Sequence, residues 1–183
     1  MKFCSTCGAT VTLRIPDGDN RERFVCDHCL TIHYQNPKIV AGCIPEWDGR
    51  ILLCKRAIEP RYGLWTVPAG FMENGESTEQ AAIRETLEEA GAQVNITSLY
   101  SIFSIPHISQ VYMLFRGELR HDDYHPGQES LECRLFSELE IPWEKLAFPV
   151  VRETLQRYYL DKSRNNGFPL QRGEIIKHPA RRP

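Results

Sequence analysis

From residue 38 onward the chain alternates between apolar runs of strand length and short polar breaks. Residues 38–44 are mostly apolar and predict a strand, Trp47-Asp48-Gly49 is a hairpin signal, and residues 50–56 predict the returning strand. Residues 65–68, 94–103, 110–119 and 131–136 predict further strands, with a polar loop over residues 122–130. In two places the period lengthens to that of a helix. Over residues 77–91, Ser77 and Gln80 have the spacing of a capping box, and Gly91 stands where a helix stops in a left-handed turn. Ile83, Thr86, Leu87 and Ala90 share one stripe of that helix, with Arg84, Glu85, Glu88 and Glu89 on the other side. Residues 149–160 predict a second helix, packed through Val150, Val151, Thr154, Leu155 and Tyr158. Strands with one helix in their middle and one near the end imply an α+β domain over residues 36–160. Residues 161–183 are polar and rich in arginine, and read as a tail, loosely ordered or laid along a partner.

The first 35 residues lack this patterning and carry Cys4, Cys7, Cys26 and Cys29 in the spacing C-x2-C-x18-C-x2-C. Each pair sets two thiolates at the tip of a tight turn, and four sulfurs suit a closed tetrahedral Zn²⁺ site. So short a segment has little apolar core, so the metal would supply its folding energy. His28 and His33 read as surface residues, because four cysteines fill the site. Cys43 and Cys54 fall within strands and read as small buried hydrophobes.

Composition excludes some classes. With 42% hydrophobic and 25% charged residues the chain is an ordinary globular sequence. A net charge of −2 argues against general nucleic-acid or membrane binding. No apolar run reaches membrane-spanning length and the start does not read as a signal peptide, so a cytoplasmic protein with unpaired thiols is expected.

Three carboxylates within five residues of the first helix repel one another. Such a face is commonly just solvated, but a hard divalent cation, Mg²⁺ or Mn²⁺, would relieve the repulsion. The longer spacing decides between these. Gly70, Glu76, Arg84, Glu85, Glu88, Glu89 and Gly91 fit G-x5-E-x7-R-E-U-x-E-E-x-G-U, where U is a bulky apolar residue, with Thr86 and Ala92 at the U positions. The segment therefore resembles the Nudix box. With the zinc ribbon, the strands to Arg56 and the stretch from Ser104 to Tyr112, the chain resembles zinc-ribbon Nudix hydrolases of the plant chloroplast FAD/ADP-ribose pyrophosphatase group and its bacterial relatives.

That resemblance implies a mixed sheet sandwiched between helices, and hydrolysis of a nucleoside diphosphate linked to a further group. It implies that Glu85, Glu88, Glu89 and the Gly70 carbonyl hold the catalytic Mg²⁺ or Mn²⁺. Arg84 would orient a glutamate, Glu76 would brace the loop, and Glu129 would serve as general base or extra metal ligand. Glu132, three residues on, faces the other way. Phe103, His107 and Tyr112, with Tyr34 and Trp47 as alternatives, could stack on an aromatic base or flavin. Residues 104–109 read Ser-Ile-Pro-His-Ile-Ser, without the S-Q-P-W-P-F-P-x-S signature of NADH pyrophosphatases. FAD or ADP-ribose is therefore the expected substrate, with release of AMP. NADH, dinucleoside polyphosphates or capped RNA, or a non-catalytic ligand-sensing role, are the alternatives, and a homodimer is expected.

Overall fold

A computed structural model of the chain describes residues 1–176. They divide into two compact units, Met1–Pro37 and a larger one beginning at Lys38. In the first, strands β1 (Val11–Arg14), β2 (Arg23–Cys26) and β3 (Ile32–His33) form a three-stranded antiparallel sheet. Its buried residues are few, Cys4, Val25, Cys26 and His33, too few to make a core by burial alone.

The larger unit is an eight-stranded mixed sheet. Its strands are β4 (Lys38–Trp47), β5 (Arg50–Arg56), β6 (Trp65–Thr66), β7 (Ala69–Phe71), β8 (Val94–Ile105), β9 (Gln110–Leu119), β10 (Ser130–Phe136) and β11 (Gln171–Glu174). The order across the sheet is β10-β5-β4-β9-β8-β11, with β6 on β5 and β7 on β4. β4 and β9 run parallel through nine consecutive residue pairs, Lys38↔Gln110 to Glu46↔Glu118. They form the long central seam, and as expected of strands covered on both faces they are largely apolar. Helix α1 (Thr78–Ala90) covers one face over Leu52, Cys54, Ala90, Ala92, Leu119 and Leu135. Helix α2 (Pro149–Arg164) covers the other, where Ile44, Leu53, Val67, Tyr100, Leu114, Leu155 and Tyr158 make the larger core. The sandwich matches the expected α+β architecture.

Two elements depart from expectation. α1 is rotated by about a quarter turn. Ala81, Ala82, Glu85, Thr86, Glu89 and Ala90 are buried, while Ile83 and Leu87 are 39% and 51% exposed. Small residues let the helix lie close on the sheet, and this turns Glu85 and Glu89 inward with them. The tail is also corrected in part. α2 continues to Arg164, and β11 pairs in parallel with β8, Gln171↔Ser101 through Glu174↔Ser104. Gln-Arg-Gly-Glu carries no apolar alternation, so a strand held by backbone hydrogen bonds on an open sheet edge leaves no pattern signal. The rest of the expected tail, residues 177–183, lies outside the described residues.

Leu155 is fully buried against the sheet. Its replacement by Ala should cost about 2–5 kcal/mol in urea unfolding. Leu139→Ala, at a residue 98% exposed, should stay within about 0.5 kcal/mol. Equal losses for the two would contradict this division of core and surface.

Candidate active site and the four-cysteine cluster

The box begins at β7 and ends at the α1 C-cap. Ser77 accepts from the Gln80 N–H at 3.2 Å while Gln80 accepts from the Ser77 N–H at 2.7 Å, completing the expected capping box. Gly91 closes the helix in the left-handed conformation at φ 59°. Between these caps Arg84 is the hub of the site. Its guanidinium donates to Glu76 at 2.8 and 3.0 Å, to Glu85 at 2.7 Å, to Glu88 at 3.0 Å and to the Phe71 carbonyl at 3.2 Å. Glu76 also accepts from the Glu73 N–H at 2.6 Å, which ties the loop to the helix. The Arg84 guanidinium and that N–H hold the Glu76 carboxyl down at about 2.

Glu85 and Glu89 differ from Glu88, whose side chain is exposed. Both are more than nine-tenths buried. Burial pushes the Glu85 carboxyl above its usual range, against the pull of Arg84. Burial, then the charge of Glu85, pushes Glu89 up to about 8, although the Ala69 N–H and Arg56 favour its ionised form. The Glu85 carboxyl group lies directly against Gly70, in the space that a Cβ there would occupy. The Ala69 N–H donates to Glu89 at 3.4 Å. Two inward carboxylates against the Ala69–Gly70 backbone, one without an ion-pair partner among the described residues, form an all-oxygen donor set. That set fits a hard cation such as Mg²⁺ or Mn²⁺.

Glu129 is exposed and comes to this site from a separate loop, close enough that its charge raises both Glu85 and Glu89. The loop docks on the C-terminal end of α1. The His125 N–H donates to the Ala90 carbonyl at 2.9 Å and the Gly127 N–H to the Glu89 carbonyl at 3.0 Å. A Cβ at Gly127 would collide with the Glu88 carbonyl oxygen. Glu132 is drawn away into an exposed pair with Lys55 at 3.7 Å.

The expected stacking residues are not brought together on an open wall. Phe103 and Tyr112 are cross-strand partners, 1% and 8% exposed, within the larger core. Alternation along β8 and β9 points both at α2. His107 is exposed on the turn after β8, beside the start of β4, where the Lys38 N–H meets the Ser109 carbonyl at 3.0 Å. Trp47 packs partly on the core beneath α1, and Tyr34 is exposed in the ribbon under Arg23.

Sequence reasoning passed over Arg56. Its charge is felt by Glu89 and Tyr112, and its guanidinium lies 5.1 Å from the Phe148 ring centre. The alternation of β5 is the signal that finds it, since Leu52 and Cys54 face α1 and Arg56 follows two residues later.

In the ribbon the sulfurs of Cys4, Cys7, Cys26 and Cys29 lie within 4.8 Å of one another, with Cys4–Cys29 at 3.7 Å and Cys7–Cys26 at 3.4 Å. A tetrahedral zinc with ordinary Zn–S bonds separates its sulfurs by about 3.8 Å, so the group fits the ion. All four are free thiols. Burial opposes ionisation of Cys4, but the N–H groups of Thr6 and Cys7, with His33 and Cys29, draw it down to about 5, while neighbouring sulfurs push Cys7 up to about 12. Four thiolates this close would repel one another, and a cation at their centre would relieve that repulsion. His33 is not a surface residue: pairing of β3 with β2 buries it, and its Nε2 lies 3.3 Å from the Cys4 sulfur. His28 is exposed.

Comparison with known proteins agrees with this geometry. Residues 36–158 match the NUDIX domain model and residues 2–35 the zinc-ribbon model described as Nudix N-terminal. The chain belongs to the Nudix hydrolase family, with a zinc ribbon ahead of the hydrolase domain. It is 36% identical over 124 residues to an ADP-ribose pyrophosphatase of Methanocaldococcus jannaschii, covering 63% of this chain and 69% of that protein. It is 32% identical over 168 residues to a NAD-capped RNA hydrolase NudC of Photobacterium profundum, covering 88% of this chain and 57% of the relative. The chain thus spans little more than half the length of that NudC protein. The crystal structure of a NUDIX hydrolase from Nitrosomonas europaea superposes with a TM-score of 0.94 at 57% identity, covering 97% of this chain and 100% of that one. Among the described residues no helix is long and apolar enough to cross a membrane.

Two measurements check the site. In metal-free protein Glu89 keeps its proton to about pH 8 when folded and ionises near its ordinary 4.5 when unfolded. The unfolded chain then binds fewer protons across that window, so stability falls as pH rises from about 5 to 8, by on the order of a few kcal/mol. Melting temperature should drop accordingly, Glu89→Gln should flatten the slope, and Mg²⁺ at pH 8 should restore stability. A slope unchanged by Glu89→Gln would refute the burial cost. For the ribbon, elemental analysis of protein prepared without chelator should give one zinc per chain, and Cys26→Ser should lower both zinc content and the melting temperature.

Proposed function

We propose that this chain is a Mg²⁺- or Mn²⁺-dependent pyrophosphatase that cleaves the diphosphate of ADP-ribose or FAD and releases AMP. The observation that carries the reading is the inward placement of Glu85 and Glu89 against the Ala69–Gly70 backbone, with Glu129 arriving from a second loop. Carboxylates buried at such cost are a liability to the fold unless a cation joins them. The ADP-ribose pyrophosphatase relative supports the substrate class.

Glu85, Glu88, Glu89 and the Gly70 carbonyl would hold the cation. When bound, it would neutralise phosphate charge and lower the pKa of water. Arg84 fixes the orientation of Glu85 and Glu88, and Glu76 braces the loop through Arg84 and the Glu73 N–H. Glu129 takes the proton as the oxygen of a water attacks one phosphorus. The bond from that phosphorus to the bridging oxygen breaks, the oxygen leaves with the other phosphate, and AMP separates from ribose 5-phosphate or FMN. Arg56, next to Glu89, offers a cation to the diphosphate. Of the three expected stacking residues, His107 is exposed, and Phe103, although 1% exposed, lines a cleft beside β11.

A second reading, hydrolysis of NADH or NAD-capped ends, is favoured by the length of the NudC match, which includes the ribbon. The sequence of residues 104–109 stands against it. Steady-state kinetics on FAD, ADP-ribose, NADH, NAD and Ap4A decide between them. Highest kcat/KM is expected on FAD or ADP-ribose, and a higher value on NADH than on both would reverse the assignment. Glu88→Gln and Glu89→Gln should lower kcat by about a hundredfold or more. Glu129→Gln should lower kcat by about a hundredfold while leaving the melting temperature within a few degrees of the wild type. Near wild-type turnover by both box variants at saturating Mg²⁺ would place the chemistry elsewhere.

A further inference from the structure

We infer that β11 and the residues after it, Glu174, Ile175 and Ile176, are a specificity wall: they close a cleft that holds the heteroaromatic ring of the nucleotide. The inference rests on the pyrophosphatase reading above and assigns the substrate's ring to a place. The cleft has a volume of about 630 Å³. Leu64, Phe103, Phe148, Ile175 and Ile176 are among the apolar residues that line it, and Arg61 and Glu174 are among the charged ones. Arg56 neighbours both the cleft and the box. The Phe148 ring lies 5.1 Å from the Arg56 guanidinium, the Leu64 carbonyl accepts from the Arg56 N–H at 2.9 Å, and Arg56 acts on Glu89. A diphosphate held at Arg56 and the carboxylates would therefore direct one of its two end groups into this cleft.

The lining selects the chemistry of that group. The lining mixes apolar and charged residues: Leu64, Phe103, Phe148, Ile175 and Ile176 suit the faces of a flat ring, while Arg61 and Glu174 can meet ring nitrogens and carbonyl oxygens. Arg61 makes no ion pair among the described residues, whereas Arg152 and Arg157 are engaged by Glu144 and Glu153. An alkyl chain would leave Arg61 and Glu174 without a partner, and a ring-free sugar phosphate would leave Leu64, Phe148 and Ile175 wet.

The wall is built deliberately into the fold. It lies beyond residue 158, where the match to the NUDIX domain model ends. Phe168 anchors it. The ring stacks on Tyr158 at 5.2 Å and 20°, and the Arg116 guanidinium covers it at 3.6 Å. Arg116 is itself fixed by Glu46, at 2.8 and 3.3 Å, and Glu46 accepts from the Tyr158 hydroxyl at 2.8 Å. Downstream, Gln171 donates to Asp161 at 2.9 Å, Arg157 donates to the Arg172 carbonyl at 3.2 Å, and the Ile175 N–H donates to the Ser104 carbonyl at 2.9 Å. Phe168 touches nothing in the cleft and so is a positioning residue.

Titration calorimetry with AMP, FMN and ribose 5-phosphate tests the wall, alongside hydrolysis of ADP-ribose and FAD. The wild type should bind AMP or FMN at least about tenfold more tightly than ribose 5-phosphate. Ile176→Ala, at an exposed residue whose loss leaves the core intact, should shrink that preference about fivefold. Phe168→Ala should do the same, raising KM while kcat stays within about twofold, and Phe168→Tyr should restore KM. Whichever of AMP and FMN loses affinity identifies the ring as a base or a flavin. Absence of a ring preference in the wild type, or its full retention in both variants, overturns the wall. Hydrolysis with ring preference unmoved in the variants would remove the wall and leave the pyrophosphatase reading standing. Ring binding lost in the variants of a protein that hydrolyses neither substrate would do the reverse.

Discussion

The structure depends on two carboxylates that face inward. An α-helix packed on a sheet ordinarily turns its acids to water, because an ion leaving water loses several kcal/mol of solvation. Here Ala81, Ala82, Thr86 and Ala90 set α1 close to the sheet, and Glu85 and Glu89 share that buried arc. Displacement of the bulkier Ile83 and Leu87 to the surface follows from the same rotation. The fold thus stores an electrostatic cost at one point, next to the Ala69–Gly70 backbone, where a cation would relieve it. Under the proposed function, binding and catalysis draw on that difference.

The remaining parts of the site keep those carboxylates in place. Arg84 joins the loop, the Phe71 carbonyl and three glutamates through one planar fork, a geometry that lysine could not reproduce. The two helix caps fix the length of α1, and the carbonyls exposed at its C-terminal end receive the N–H groups of His125 and Gly127. That docking carries Glu129 to the site from far along the chain. Gly127 is required there because any side chain would strike the helix backbone.

The two candidate metal sites would use their ions differently. In the ribbon four soft thiols surround one point, few apolar residues support them, and an ion would stand in for a core. In the hydrolase domain the core is large and independent, and the candidate donors are hard oxygens. Loss of zinc should therefore act on folding of the ribbon, and loss of Mg²⁺ on chemistry.

The sequence by itself determined what depends on spacing along the chain. The four cysteines, both caps of α1, the seven fixed residues of the box and most strands were legible, because turns, helical pitch and ligand geometry act over a few residues. Tertiary structure alone decided what depends on which surfaces meet. The rotation of α1 follows from the sheet beneath it, and an amphipathic reading weighted toward Ile83 and Leu87 misses it. Phe103 and Tyr112 are core because α2 lies over them, and His33 is buried because β3 pairs with β2. β11 was invisible because its four residues add backbone hydrogen bonds rather than an apolar face. Arg56 and Glu129, 73 residues apart by number (129 − 56), meet at one site because the sheet brings β5 and the loop before β10 together.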